Sequence, residues 1–203
     1  GDDCLTITAS NDVVFGGTEN DTIIIQSGSG NKIYGDGGID TLTIQGAGGS
    51  NLISGGSGND SLWIESTGTG HQIFGSDGDD MIHFNPISLS AFNGNQTTVD
   101  AGSGFDTLVL DGTGTINLTA ITATKLHDIN AIRATFGSNN INLDISDIIE
   151  HSDNNQLFIA ASTSAGPSVA VNLTNNQSLG DLIYKGDVTV NGDTFHSYSN
   201  GQQ

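Results

Sequence analysis

The 203-residue sequence predicts an all-β protein in which short parallel strands stack as a β-solenoid. Three observations predict this class. Gly-rich loops ending in aspartate recur about every 20 residues, a short apolar strand with a period of two follows each loop, and a weaker series of loops lies halfway between them. No single repeat buries its apolar face alone, so the repeats must stack to form a core.

The stronger series of loops places six aspartates in one column. In GGSGNDSLWI (55–64), for example, the loop GGSGND ends in Asp60 and the strand SLWI follows. The segment GDDCLTI (1–7) is an incomplete first copy that contributes Asp3. Successive aspartates are 18, 19, 20, 20 and 26 residues apart, the last because of an insertion at 85–98 that could displace one turn from the next. The column consists of Asp3, Asp21, Asp40, Asp60, Asp80 and Asp106.

The strands supply a core with a period of two. Two lines of aliphatic side chains are predicted to point inward and pack against each other as two parallel sheets. The line after the aspartate loops is Ile23/Ile25, Leu42/Ile44, Leu62/Ile64, Ile82/Phe84 and Leu108/Leu110, and the other is Val14, Ile33, Ile53, Ile73 and Val99.

The aspartate column demands a cation. Stacked strands lie about 4.8 Å apart, so carboxylates of successive turns become close neighbours and repel by about 1 kcal/mol per pair in water, and more when partly buried. Calcium accepts six to eight oxygen ligands in flexible geometry, including backbone carbonyls that glycine allows to turn inward. Magnesium prefers strict octahedral geometry, and zinc prefers Cys or clustered His.

Composition excludes several partners. Four basic residues face 23 acidic ones, giving a formal net charge of −19, so the Lys and Arg clusters that bind nucleic acid are missing. No apolar run approaches the length of a membrane span, and the single cysteine, Cys4, excludes an internal disulfide framework.

The segment Gly55-Gly56-Ser57-Gly58-Asn59-Asp60-Ser61-Leu62-Trp63 meets the pattern G-G-x-G-x-D-x-U-x in full, and residues 1–110 resemble a repeats-in-toxin (RTX) calcium-binding β-roll, a right-handed parallel β-solenoid. The resemblance implies up to five Ca²⁺ ions between successive loops, bound by motif aspartates and loop carbonyls. The implied metal-site residues are Asp3, Gly16, Asp21, Gly35, Gly37, Gly38, Asp40, Gly55, Ser57, Gly58, Asn59, Asp60, Gly75, Asp77, Gly78, Asp79, Asp80, Gly102, Gly104 and Asp106.

The sequence departs from the RTX pattern in two places. On the opposite edge, Asn31, Asn51 and His71 stand where the family has aspartate, so that edge is expected to bind no calcium, its Asn side chains bonding along the stack instead; Asp12 alone is a candidate there for a weak site. In the Asp21 loop, Glu19 replaces the glycine of motif position four.

Residues 111–203 are predicted to form a β-rich capping or continuing domain. Strand-like segments continue there, and Asn191-Gly192 is a two-residue hairpin turn. The run GSGFDTLVLDGTG, followed by INAI and NLDISDIIE, resembles the C-terminal regions of large RTX adhesins exported by type I secretion. This resemblance implies a secreted or cell-surface bacterial location and a larger secreted chain as partner.

No motif supports an enzyme. Neither H-E-x-x-H nor G-x-S-x-G occurs, and the five histidines lack ligand spacing and are expected to be structural or exposed. Any catalytic domain of a secreted enzyme would lie outside this chain. Strand alternation places Trp63, Met81 and His83 on the outer face, where they could bind a cell-surface glycan or peptide; the alternative is that the cap or the insertion folds over them.

Overall fold

The computed structural model describes residues 1–85, 96–111, 114–117, 125–134, 138–143, 156–161, 168–173, 183–190 and 193–199. Throughout these ranges the regular elements are β-strands, and parallel strands stack as a β-solenoid of about five turns. The predicted all-β solenoid is confirmed.

Strands alternate between two sheets as the chain winds. The strands that follow the aspartate loops are β1 (Cys4–Ile7), β3 (Thr22–Ile25), β5 (Thr41–Ile44), β7 (Ser61–Ile64), β9 (Met81–Phe84) and β11 (Thr107–Leu110). Those of the opposite sheet are β2 (Val13–Thr18), β4 (Lys32–Gly37), β6 (Leu52–Ser57), β8 (Gln72–Asp77), β10 (Thr98–Ser103) and β13 (Leu126–His127). The others are β12 (Gly114–Asn117), β14 (Ala131–Ala134), β15 (Ser138–Leu143), β16 (Gln156–Ala161), β17 (Ser168–Leu173), β18 (Ile183–Val190) and β19 (Asp193–Ser199).

The first sheet has ten strands in the order β1-β3-β5-β7-β9-β11-β14-β16-β19-β18. The strands after residue 110 therefore continue the same sheet as those before it. Its strands are parallel up to β16, and β19 and β18 then pair antiparallel. The second sheet has six strands, and β12, β15 and β17 form a third. Val190 pairs with Asp193, as the predicted hairpin requires, although residues 191–192 lie outside the described residues.

The insertion after β9 does not displace the stack. Met81 still pairs with Thr107, and Gln72 with Thr98, so the 26-residue spacing is absorbed before β10. The expectation that the insertion could shift one turn is therefore wrong.

The interior between the first two sheets consists of the two predicted aliphatic lines. Every predicted inward residue of both lines is at most 2% exposed except Val14, which is half-buried against the same core near the open end of the solenoid. Regular columns of Ile and Leu fix the register, because slipping a strand by one residue would turn its apolar side chains to the outside.

The outer face of the first sheet is less exposed than strand alternation alone predicts. Ile24 and Trp63 are half-buried, whereas Thr107, His83 and Val109 are buried, Val109 completely. The face is thus increasingly covered toward the later strands.

Candidate metal centre

The aspartate column lies on the edge where each loop enters a strand of the first sheet. All of its members from Asp21 to Asp106 are at most 1% exposed, whereas Asp3 is exposed. Each buried Oδ1 accepts a hydrogen bond from the backbone N–H of the preceding aspartate in the column, at 2.7–2.9 Å. These bonds fix every carboxylate and leave Oδ2 facing inward.

The Oδ2 atoms of Asp21, Asp40, Asp60 and Asp80 are buried and accept no hydrogen bond. A buried polar atom without a partner costs several kcal/mol when it carries charge. Four such oxygens, at the same position of four successive turns, are a repeated feature rather than a local defect. A cation or a proton would remove this cost.

Each of these oxygens lies beside the first glycine of its own loop and a carbonyl oxygen of the next turn. A Cβ added to Gly55 would collide with Asp60 Oδ2 and lie 2.8 Å from Gly75 O, so only glycine leaves this space open. We call such a space a cradle. The other cradles lie at Gly16 (Asp21 Oδ2 and Gly35 O), Gly35 (Asp40 Oδ2 and Gly55 O) and Gly75 (Asp80 Oδ2 and Ala101 O).

The cradles fit calcium by the chemistry of their donors. Carboxylate and carbonyl oxygens converge on a space without a side chain, and calcium takes both ligand types in irregular geometry. The three heavy atoms nearest to the added Cβ of each cradle glycine are oxygens and carbons of carboxylate and carbonyl groups, a donor set that does not favour zinc. The residues present therefore fit the metal that the sequence predicts.

Burial raises the pKa values of the central aspartates. Desolvation raises the pKa of Asp60 to about 6 and that of Asp80 to about 8, and neighbouring carboxylates of the column add to the rise. The pKa of Asp40 is raised for the same reasons. The hydrogen bonds to Oδ1 oppose these shifts without cancelling them, so the column resists full ionisation in the absence of a cation.

The opposite edge has the same series of side-chain-to-backbone hydrogen bonds between turns, which we call a ladder, but its acceptor side chains are uncharged. Asn31 Oδ1 accepts from Asp12 N–H, Asn51 Oδ1 from Asn31 N–H, and His71 Nδ1 from Asn51 N–H at 3.3 Å. The second side-chain atom here is a donor: Asn31 Nδ2 donates to Ala9 O, and Asn51 Nδ2 to Gly28 O at 3.2 Å. The predicted bonding of the Asn side chains along the stack is confirmed.

His71 takes part in this neutral ladder as a neutral ring. Its Nδ1 accepts from Asn51 N–H, so the proton resides on Nε2, 3.3 Å from Ser66 Oγ. Desolvation lowers the pKa of His71, which favours this uncharged form. The Asn edge thus satisfies its buried atoms without an ion, and the Asp edge does not.

Several predicted site residues turn their side chains away from the cradles. Ser57, Asn59, Asp77 and Asp79 are exposed. Asn59 Oδ1 accepts from Asp79 N–H at 2.9 Å, and Asp79 Oδ1 in turn accepts from the backbone of the next loop. These side chains form an outer ladder between turns, which leaves only the backbone of these residues to face an ion.

The remaining predicted residues shape the loops. Gly38, Gly58, Gly78 and Gly104 hold positive φ angles of 125–140°, and each passes so close to a carbonyl of the preceding turn that a Cβ would clash with it. Gly102 has a φ of 93° and meets Ser76 O in the same way. Gly37 has room for a small side chain, its nearest neighbour being Ser57 Oγ at 3.2 Å.

Two residues that end the column are not anticipated by the sequence pattern. Asp106 N–H donates to Asn130 Oδ1 at 2.7 Å, so a buried Asn follows the last aspartate. Ala101 replaces the first glycine of the Asp106 loop, and its methyl group stands where the earlier loops have a cradle. Asn130 directly precedes β14, and this position before a strand is the one signal that could have found it.

The predicted ligand patch is not an open surface. His83 is 7% exposed, its ring stacks on Trp63 with centroids 3.7 Å apart, and its Nδ1 lies 2.6 Å from Asp111 Oδ2. Met81 Sδ lies 3.6 Å from Arg133 Nη2. His83 is therefore covered by its neighbours rather than open to a ligand, and Trp63 is left half-buried.

Comparison with protein families identifies the repeat that builds this edge. Residues 7–24 and 34–63 match the RTX calcium-binding nonapeptide repeat, in four copies. Together with the solenoid, the match supports an RTX β-roll and implies calcium binding. Comparison with curated proteins and with solved structures gave no match.

The geometry of the matched RTX repeats continues beyond them. The loops of Asp80 and Asp106 lie outside the matched stretches, yet they keep the same pairing and the same carboxylate-to-backbone hydrogen bonds. In the part of the chain that the structure describes, no helix is long and apolar enough to cross a membrane.

Proposed function

We propose that residues 1–110 form a calcium-dependent structural module of a secreted RTX protein, in which calcium binding drives the stacking of the turns. The observation that carries this proposal is the set of buried Oδ2 atoms facing carbonyl oxygens in the four cradles. The Asn edge strengthens it, since there an amide donates to a loop carbonyl and no cation is needed. The match to RTX repeats supports the choice of calcium.

The ions would be held by Oδ2 of Asp21, Asp40, Asp60 and Asp80 and by the cradle carbonyls of the following turns. When bound, calcium would supply positive charge to the carboxylate of one turn and a ligand bond to the carbonyl of the next. Four cradles are found in the described residues, and the resemblance implies up to five pairs. In the described residues the pair Asp3/Asp21 has none, because Asp3 is exposed.

Calcium affinity in such a module sets when it folds. Extracellular calcium modules bind with dissociation constants of about 10⁻⁴–10⁻³ M, so their sites stay empty at cytosolic calcium levels. At ten times the dissociation constant each independent site contributes about 1.4 kcal/mol, and four contribute about 6 kcal/mol. This is comparable with the whole stability of a small domain, about 5–15 kcal/mol.

A calcium titration followed by far-UV circular dichroism tests the proposal. We expect the full chain in EDTA to gain β signal cooperatively on addition of calcium, and magnesium at the same concentration to produce little change. A spectrum that is fully folded in EDTA and unaltered by calcium would overturn the coupling of folding to metal binding. Calorimetric stoichiometry near four ions, rather than five, would support the cradle assignment.

The wider context is part of the proposal. The RTX repeats support an extracellular location, and the resemblance of GSGFDTLVLDGTG, INAI and NLDISDIIE to adhesin C-terminal regions supports a large adhesin exported by type I secretion. We propose that the module is structural rather than catalytic. A chain that folds only after export would stay unfolded while it passes through the secretion channel.

A glycan or peptide ligand at Trp63 stays a prediction. Its test is whether the calcium-loaded chain binds a glycan or peptide array, and whether Trp63→Ala removes that binding without changing the circular dichroism spectrum. An array without a Trp63-dependent ligand would argue for a purely structural face.

A further inference from the structure

A second group of metal-ligating side chains lies on the outer face of the second sheet, away from the aspartate column. It consists of Asp100, His127 and Asp128, which offer one ligand atom each, all within 4.8 Å of one another. We infer that these three residues form a site for a single divalent transition ion of the zinc class, distinct from the calcium cradles.

The fold brings these residues together from two strands. His127 pairs with Asp100 in the register between β13 and β10, so their side chains emerge side by side on the same face. The neighbouring pair, Leu126 and Val99, points inward and is buried, which fixes this orientation. Asp128 follows with a φ of 60°, a left-handed turn that leads its carboxylate back to the imidazole.

The distances suit a small four-coordinate ion. His127 Nδ1 lies 2.9 Å from Asp128 Oδ2 and 3.4 Å from Asp100 Oδ1. Two ligand atoms about 2.1 Å from a tetrahedral zinc are about 3.4 Å apart, so small side-chain adjustments would close the site. Calcium needs six to eight oxygens at a larger radius, and an imidazole is not among its ligands.

The charge balance leaves room for a cation. Two carboxylates meet one imidazole, and the whole chain carries a formal net charge of −19. Burial raises the pKa of Asp100; His127 opposes that rise, and the nearby Asp128 adds to it. The three side chains are each about one-third exposed, so an ion can enter and water can complete its coordination.

Such an ion would fasten the last strand of the second sheet. β13 contains two residues and, among the described strands of this sheet, pairs only with β10. A bond from His127 and Asp128 to Asp100 through one metal would add a cross-link between these strands. Zinc is therefore expected to raise the thermal stability of the calcium-loaded protein as well as to bind it.

Titration calorimetry of the full chain with zinc, in saturating calcium, tests the site. Saturating calcium keeps zinc from the cradles. We expect one zinc per chain, with affinity reduced by about 100-fold or more in His127→Ala and clearly reduced in Asp100→Asn. The matched control is His71→Asn, which removes a histidine but places at that position the residue found one turn earlier, Asn51, and it should bind zinc normally.

Cobalt provides a second readout. Cobalt bound in a four-coordinate site gives an intense visible absorption that a six-coordinate aqueous ion lacks, and this band should be absent in His127→Ala. Failure of the wild-type chain to bind zinc, or equal zinc binding by His127→Ala, would overturn the inference and leave an ordinary ion-pair cluster. Either result is independent of whether the cradles bind calcium.

Discussion

Replacing Asp60 by Asn should make the module more stable without calcium and less responsive to it. Asp60→Asn keeps Oδ1, which accepts from Asp40 N–H, and converts the buried Oδ2 into an NH₂ donor beside Gly75 O. The opposite edge shows that this arrangement works, since Asn51 Nδ2 donates there to Gly28 O and Gly48 O. The substitution therefore exchanges a carboxylate that needs a cation for an amide that does not.

The size of the effect follows from the pKa of Asp60. Its rise from 3.8 to about 6 corresponds, at about 1.4 kcal/mol per unit, to about 3 kcal/mol for ionising the folded calcium-free form at neutral pH. Removing the charge returns that amount, and a new hydrogen bond adds about 1 kcal/mol. We expect the free energy of unfolding in EDTA at pH 7.5 to rise by about 3–4 kcal/mol.

The assay is urea unfolding of wild type and Asp60→Asn, each in EDTA and in saturating calcium, with calcium stoichiometry from calorimetry. The variant should bind at least one calcium fewer and gain less stability from calcium than the wild type does. The matched control is Asn51→Asp, which places a carboxylate among Gly28 O and Gly48 O and should destabilise the calcium-free form by a similar amount. A calcium-free Asp60→Asn protein that is less stable than wild type would refute the argument.

Three further predictions concern the same edge. The calcium-free protein should be more stable at pH 5 than at pH 8. The pKa values of Asp60 and Asp80 are about 6 and about 8 in the folded state and 3.8 in the unfolded state, so the folded state binds more protons and its stability falls as pH rises through this window. Urea midpoints in EDTA that rise with pH would contradict this. Glu19→Gly should stabilise the calcium-loaded protein by about 1 kcal/mol in urea unfolding, because Glu19 has a φ of 76° that glycine adopts without strain. An unchanged urea midpoint would show that the loop holds Glu19 without strain. Gly55→Ala should bind one calcium fewer in calorimetry, because its methyl group fills a cradle. Gly37→Ala has room for the methyl group and should keep the full calcium stoichiometry. Equal stoichiometry in the two variants would show that the cradles do not hold the calcium ions.

The sequence predicts the repeating part of this structure well, because repetition imposes one geometry on every turn. The inward columns, the alignment of the aspartates on one edge and the bonding of Asn31 and Asn51 along the opposite edge all follow from spacing and a period of two. Spacing cannot show which oxygen of each carboxylate accepts a hydrogen bond and which does not. That depends on the backbone N–H of the neighbouring turn, which only the register reveals.

Features outside the repeat were harder to predict, each for a physical reason. Asn130 continues the aspartate column, but the residues before it contain no glycine, so the loop pattern does not signal it. Strand alternation leaves open whether the face at His83 is exposed or covered, and the sequence does not show that Asp111 and Trp63 close around it. Asp100 and His127 are distant in the sequence and become neighbours only through the register between β10 and β13.

The two edges of the solenoid assign different tasks to the same backbone geometry. On the Asn edge every ladder bond ends in a neutral group, so this edge and the aliphatic core specify which residues pair whether or not an ion is present. On the Asp edge the same hydrogen bonds hold carboxylates whose second oxygens oppose burial. Calcium is thus expected to decide when the aspartate loops close, while the pairing register is already fixed by the rest of the turn.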